Sequence, residues 1–158
     1  MKVAGALVAL TAGVVNAQSV ELLKLTELEN KVEKGGSVTY VVNFWATWCA
    51  PCVKELPYFQ EIQNKYSGSE VKVLLVSLDS KSTLDAKVKP FVLKTGMTAE
   101  FYLLDETNQQ EYIDRISTSW SGALPATLIV NTARGKKKFI EGELSLKELE
   151  EALLEVRE

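Results

Sequence analysis

Histidine is absent from the 158-residue sequence, and cysteine occurs only twice. The first absence removes imidazole acid–base catalysis, Ser-His and Cys-His nucleophile activation, and the commonest metal ligand. With only Cys49 and Cys52 present, a zinc site needing about four ligands would have to recruit carboxylates or a second chain. An excess of positive charge is missing as well. Lys and Arg number 18 against 21 Asp and Glu, a formal charge of −3, so no basic stripe exists to neutralise phosphates and nucleic-acid binding is not expected. The one basic run, Lys136-Lys137-Lys138 after Arg134-Gly135, reads as a solvated hairpin. Glycine and proline are scarce, at nine and four, and 46% of residues are apolar. That composition excludes a disordered or fibrous chain and fits one ordinary globular domain.

Charge is nearly absent from the N-terminus, where Lys2 is the only charged side chain before Gln18. The run from Val3 to Val15 is too short to span a bilayer comfortably, and Val15-Asn16-Ala17 places small side chains around a cleavage point. Residues 1–17 therefore read as a signal peptide and 18–158 as the exported domain. The expected location is periplasmic, across the inner membrane, and an anchor formed by residues 3–15 is the lesser reading.

After this segment the pattern alternates. Val20 to Leu23 suits a short strand. Thr26-Glu27-Leu28-Glu29 has capping-box spacing and opens a helix that stops at Gly35-Gly36. Val38 to Trp45 and Val71 to Leu78 are β-branched and aromatic, as in strands covered on both faces. Between them, Pro51 to Tyr66 is helical in spacing with Pro57 inside. Ser82 to Lys94 is a helix candidate weakened by Pro90, Phe101 to Leu104 a short strand, and Thr107 to Ile116 a polar helix. Ala126 to Val130 and Lys137 to Ile140 pair as a hairpin. Ser145 and Glu148 form a second capping box before a helix with Leu146, Leu149, Leu153 and Val156 on one side. Alternation ending in ββα implies an α/β fold with a mixed sheet and helices on both faces.

Cys49-Ala50-Pro51-Cys52 lies where a buried strand gives way to a helix. Unpaired N–H groups and the positive end of the macrodipole stabilise a thiolate there, so Cys49 is the expected nucleophile in disulfide exchange. Cys52, one turn along, is placed to attack the mixed disulfide as the resolving thiol. Pro51 fits an early helical position whose N–H would have no partner. A structural disulfide remains an alternative, although so small a loop constrains the unfolded state little, and a shared zinc site is a more remote one.

The stretch Val41-Val42-Asn43-Phe44-Trp45-Ala46-Thr47-Trp48-Cys49-Ala50-Pro51-Cys52-Val53-Lys54-Glu55-Leu56-Pro57 closely resembles the active-site region of thioredoxin-like proteins. More narrowly, it resembles the secreted TlpA/ResA type of thiol–disulfide oxidoreductase. The resemblance implies a thioredoxin fold with a strand-and-helix insertion, here within Asp79 to Ser119. It implies that Leu124–Pro125 is a cis bond facing the disulfide, and that Trp48, Ala50, Pro51, Leu124 and Pro125 form the surface on which a partner docks. It also implies a role for Glu55. Asn43 stands where cytoplasmic thioredoxins have a buried Asp, and proton handling in TlpA-like proteins is associated with a Glu three residues after the second Cys. A solvated helix face is the alternative for Glu55, and core packing is the default for Trp45 and Trp120.

The activity expected is therefore reduction of protein disulfides outside the cytoplasm, with the Cys49–Cys52 couple in place of any cofactor or metal. By resemblance, electrons come from a membrane thiol-transfer protein. A disulfide oxidase or isomerase, or a redox-inert binding module of the same fold, are the competing readings.

Overall fold

The computed structural model describes residues 18–158, so the signal-peptide reading of residues 1–17 lies outside the described residues. The nearly uncharged runs become inner strands. β2 (Thr39–Trp45) is buried at every position, as is β5 (Ala126–Asn131), and β3 (Val71–Ser77) is buried except at Lys72. With β1 (Val20–Leu23), β4 (Glu100–Leu104) and β6 (Lys136–Glu141) they form a sheet in the order β1-β4-β3-β2-β5-β6. The first four of these neighbours run parallel, β5 runs antiparallel to β2, and β6 antiparallel to β5.

The helices are α1 (Leu25–Glu33), α2 (Ala50–Lys65), α3 (Lys89–Thr95), α4 (Gln109–Ile116) and α5 (Leu146–Arg157). Period-two alternation assigns them to the two faces of the sheet. Val41, Trp45 and Ile129 point to one core, with Leu56, Phe59 and Ile62 of α2, Val92 of α3 and Leu149 and Leu153 of α5. Tyr40, Val42, Phe44 and Leu128 point to the other, with Leu28 of α1 and Ile113 and Ile116 of α4. Asn43 lies between Val42 and Phe44 and so faces the α2 side. Its register partner across the β2–β5 ladder is Thr127.

Two boundaries differ from the sequence reading. α1 starts before Thr26 because the Glu27 carboxylate accepts the Lys24 N–H at 2.7 Å while Glu106, from a distant loop, accepts the Leu25 N–H at 2.8 Å. The long-range carboxylate satisfies a first-turn donor that no local pattern reveals. The expected helix from Ser82 divides into a 3₁₀ turn (Lys81–Thr83), a π turn (Leu84–Val88) and α3. Pro90 lies in the first turn of α3, and its ring crowds the carbonyl four residues back, so the turn before it widens. The capping box at Ser145 and Glu148 forms as expected. Lys136 to Lys138 lie on the outer strand β6, where charge discourages pairing with another sheet edge. Among the described residues no helix is long and apolar enough to cross a membrane.

Trp120 is packed in the second core, with ring centroids 5.1 Å from Phe44, 5.7 Å from Phe139 and 6.2 Å from Tyr112. Its indole N–H donates to the Ala123 carbonyl at 2.8 Å, which ties this core to the chain entering Pro125. Trp120→Ala is expected to cost about 3–5 kcal/mol, whereas Trp120→Phe keeps ring packing and costs about 1 kcal/mol for the lost hydrogen bond. Urea denaturation of the two variants measures the difference.

Candidate active site

β2 is long enough to cross the core, and its end delivers the chain to a turn at Ala46 to Trp48. There the Cys49 N–H donates to the Ala46 carbonyl at 3.1 Å. Cys49 then caps α2, with Pro51 in the first turn, and its sulfur accepts from the Cys52 N–H at 3.4 Å. Cys49 and Cys52 are joined as a disulfide with their Cα atoms 5.3 Å apart. The sulfurs sit where helix N–H groups concentrate positive potential, the setting in which a thiolate is favoured.

Burial divides the motif. Cys52 is wholly enclosed and Cys49 is 6% exposed, while Trp48 is 70% exposed and Ala50 and Pro51 are also open to solvent. The Leu124–Pro125 bond is cis, and pairing of Ala126 with Phe44 sets Pro125 beside the end of β2 from which the chain runs to Cys49. Pro125 is buried, and Leu124 is half-buried against both cores. Trp45 belongs to the core, against Phe91 and Phe101.

Glu55 is fully buried, so the solvated-face alternative is overturned. Its Oε1 accepts from Asn43 Nδ2 at 2.9 Å and its Oε2 from the Leu144 N–H at 2.8 Å. Helical spacing puts it one turn beyond Cys52. Burial pushes its pKa up from an ordinary 4.5 to about 7. The Leu144 and Asn43 hydrogen bonds oppose that rise by favouring the carboxylate, and the nearby charge of Glu143 adds to it.

Asp79 enters the sequence reading only as the first residue of the insertion. Its Oδ2 accepts from the Thr47 N–H at 2.8 Å and from Ser77 Oγ at 2.7 Å, and its Oδ1 from Thr47 Oγ1 at 2.6 Å. This buried carboxylate clamps the turn that carries Trp48 and Cys49 onto the end of β3. Nothing local in Leu78-Asp79-Ser80 discloses the clamp, because Thr47 is 32 residues away. Among the described residues no group of three or more His, Cys, Asp or Glu is arranged to hold a metal ion.

This arrangement of strand, capping cysteine, buried second cysteine and cis-proline has counterparts among known proteins. The profile of the AhpC/TSA family matches residues 15–136. The chain belongs to this family. It is similar to the thiol-disulfide oxidoreductase ResA of Bacillus thuringiensis (strain Al Hakam), with 34% identity over 124 residues covering 78% of this chain. The matched region spans 65% of that relative's length. Among solved structures, a thioredoxin-related protein from Neisseria meningitidis serogroup B superposes with a TM-score of 0.63 at 25% identity, over 73% of this chain and 82% of that one. A thiol:disulfide interchange protein of the thioredoxin family from Chlorobium tepidum TLS gives 0.63 at 19% identity, over 79% and 83%. The fold is a thioredoxin fold.

Two expectations follow from the site. Asp79→Asn turns an acceptor that faces two Thr47 donors into a donor, and is expected to destabilise the oxidised protein by about 1–3 kcal/mol in urea; unchanged stability would mean the turn is held by other contacts. For Glu55, a raised pKa means that the native state holds the proton to higher pH than the unfolded chain does. Stability contributed by this residue therefore falls as pH rises from about 4.5 to about 7 and is level above that. Glu55→Gln, which stays neutral, should match the wild type below pH 4.5 and exceed it by roughly 3 kcal/mol at pH 8, measured by urea denaturation across pH.

Proposed function

We propose that this chain is a thiol–disulfide oxidoreductase that reduces disulfides of protein substrates outside the cytoplasm. The observation that carries this reading is the Cys49–Cys52 disulfide at the start of α2, with Cys49 slightly exposed among open neighbours and Cys52 sealed one turn before a buried carboxyl. Membership of the family and likeness to ResA support it.

In the reduced protein the Cys49 thiolate attacks a substrate disulfide, forming a mixed disulfide and releasing one substrate sulfur as thiolate. Glu55 takes the proton from the Cys52 thiol. Cys52 sulfur then attacks Cys49 sulfur, the bond from Cys49 to substrate breaks, and the second substrate sulfur leaves with the electron pair. Two electrons pass from the dithiol to the substrate, and Cys49–Cys52 is left oxidised. Trp48, Ala50, Pro51 and Leu124 form the docking surface around Cys49, with Pro125 beneath it. A thiol-transfer protein of the membrane returns the enzyme to the dithiol form. Export to the periplasm through residues 1–17 belongs to the same reading.

The test is insulin reduction with dithiothreitol as electron source. Wild type should precipitate the insulin B chain, Cys49→Ser should not, and iodoacetamide should label Cys49 well before Cys52 in the reduced protein. Glu55→Gln should slow turnover about 10²-fold or more, the lower range for loss of a positioned proton acceptor, and flatten its pH dependence. A wild-type rate in Cys49→Ser would refute the assignment.

A further inference from the structure

Asn43 is buried with an unbalanced amide. Its Nδ2, which carries two protons, faces three acceptors: Glu55 Oε1 at 2.9 Å, Thr127 Oγ1 at 3.2 Å and the Ala126 carbonyl at 3.5 Å. Its Oδ1 is buried and has no hydrogen-bond partner. Such an orphaned acceptor in a dry core costs on the order of 1–3 kcal/mol, so this orientation requires a compensating reason. The reason is the charge on Glu55, because a carboxylate needs donors and Nδ2 supplies one.

We propose that Asn43 is a positioning residue whose side-chain amide turns over when Glu55 gains a proton, presenting Nδ2 to the carboxylate and Oδ1 to the carboxylic acid. The proposal rests on the reading of Glu55 as proton acceptor and says what makes both of its proton states tolerable in one buried site. Glu55 Oε2 is committed to the Leu144 N–H, so the incoming proton goes to Oε1, the oxygen that faces Asn43. An O–H there meets an NH₂ group, two donors head to head. Half a turn about the terminal torsion replaces that clash with a bond from Oε1–H to Oδ1, and nitrogen and oxygen of an amide occupy nearly the same space. The Thr127 hydroxyl accepts in the first state and donates to Oδ1 in the second, since a hydroxyl does either. The rotation gives up no bond made by Oδ1, which had none, and carries Nδ2 into that unpartnered position, so the second state holds an orphaned donor where the first holds an orphaned acceptor.

The surroundings leave Glu55 as the group that drives this turn. β5 brings Thr127 and no titratable side chain, and β2 brings Asn43, its Tyr40 pointing to the opposite core. The loop before α5 brings the Leu144 N–H and Glu143, whose carboxylate is paired with Lys54 at 2.6 Å. α2 itself brings Cys52, held in the disulfide in the oxidised protein.

The experiment is NMR of the oxidised, isotope-labelled protein, in which Cys52 cannot titrate. Nuclear Overhauser contacts from the Asn43 amide protons to Thr127 should be present at pH 9 and lost at pH 5, with the midpoint given by the Glu55 carboxyl carbon. Glu55→Gln, which needs its amide nitrogen toward Asn43 and its oxygen toward Leu144, should show the pH 5 pattern at both values. Contacts that persist at both pH values in the wild type, or a pH 9 pattern in Glu55→Gln, would overturn the proposal. In Asn43→Leu, which keeps the bulk and removes both polar atoms, the Glu55 midpoint should rise by about one pH unit; an unmoved midpoint would count against any influence of Asn43 on this proton. The two readings fail separately. Wild-type turnover in Glu55→Gln with a turning amide would remove the catalytic role alone, and slowed turnover with a fixed amide would remove this one alone.

Discussion

A carboxyl group buried between two hydrogen-bond donors is the constraint around which the active end of this molecule is built. Taking Glu55 out of water is costly, and the cost is met only if donors are delivered to both oxygens. One donor comes from β2 through Asn43, the other from the backbone of Leu144 just ahead of α5. The same residue therefore fixes three things at once: the rotation of α2 about its axis, the register of β2 beneath it, and the approach of the loop that begins α5. Lys54 and Glu143, paired at the surface, hold that loop from outside. Cys52 inherits its burial from this arrangement, since the helix face that brings Glu55 inward brings Cys52 inward one turn earlier.

The opposite side of the same turn of helix obeys a different requirement. In the proposed reading Cys49 is the sulfur that attacks a protein disulfide; it lies at the rim, 6% exposed, while its neighbours Trp48, Ala50 and Pro51 stand in solvent. Trp48, 70% exposed, offers the largest apolar side chain of this rim to a docking partner. Holding it out also requires a firm base. Asp79 supplies that base by taking both Thr47 donors, and Trp120 steadies the facing loop through the Ala123 carbonyl. Rigid anchors at the end of β3 and in the second core thus carry the exposed surface that the proposed function assigns to partner docking.

Much of this was legible in the chain before any coordinates. The uncharged runs at 38–45 and 71–78 announce strands covered on both faces, and the order of elements follows from them and from the two capping patterns. The cysteine pair and its position at a strand–helix junction are readable from spacing, and Pro125 from resemblance. What could not be read is long-range. Whether Glu55 faces water or core depends on how α2 is rolled against β2, and i+3 spacing from Cys52 is silent on that. Thr127 enters only through the antiparallel register of β2 and β5, the Leu144 amide only through the docking of α5, and Asp79 only because parallel β3 ends level with β2. Sequence patterns report local periodicity; these contacts are made by tertiary pairing.

In the proposed mechanism the raised proton affinity of Glu55 suits a carboxyl, in a chain without histidine, to take the proton that Cys52 must lose before it attacks a mixed disulfide. At an ordinary 4.5 it would hold its charge too firmly to accept a proton from a thiol whose unperturbed pKa is about 8.5. Raised to about 7, it stands much nearer to the thiol, and the transfer becomes less uphill. The transfer also moves a negative charge from the carboxylate to the sulfur without creating a second one in a site where two would repel strongly. In that mechanism, once Glu55 has taken the proton, the charge resides on the Cys52 sulfur that attacks. Burial raises the proton affinity of Glu55, so the feature that makes it a burden on stability is, in the proposed mechanism, the one that matches it to the thiol.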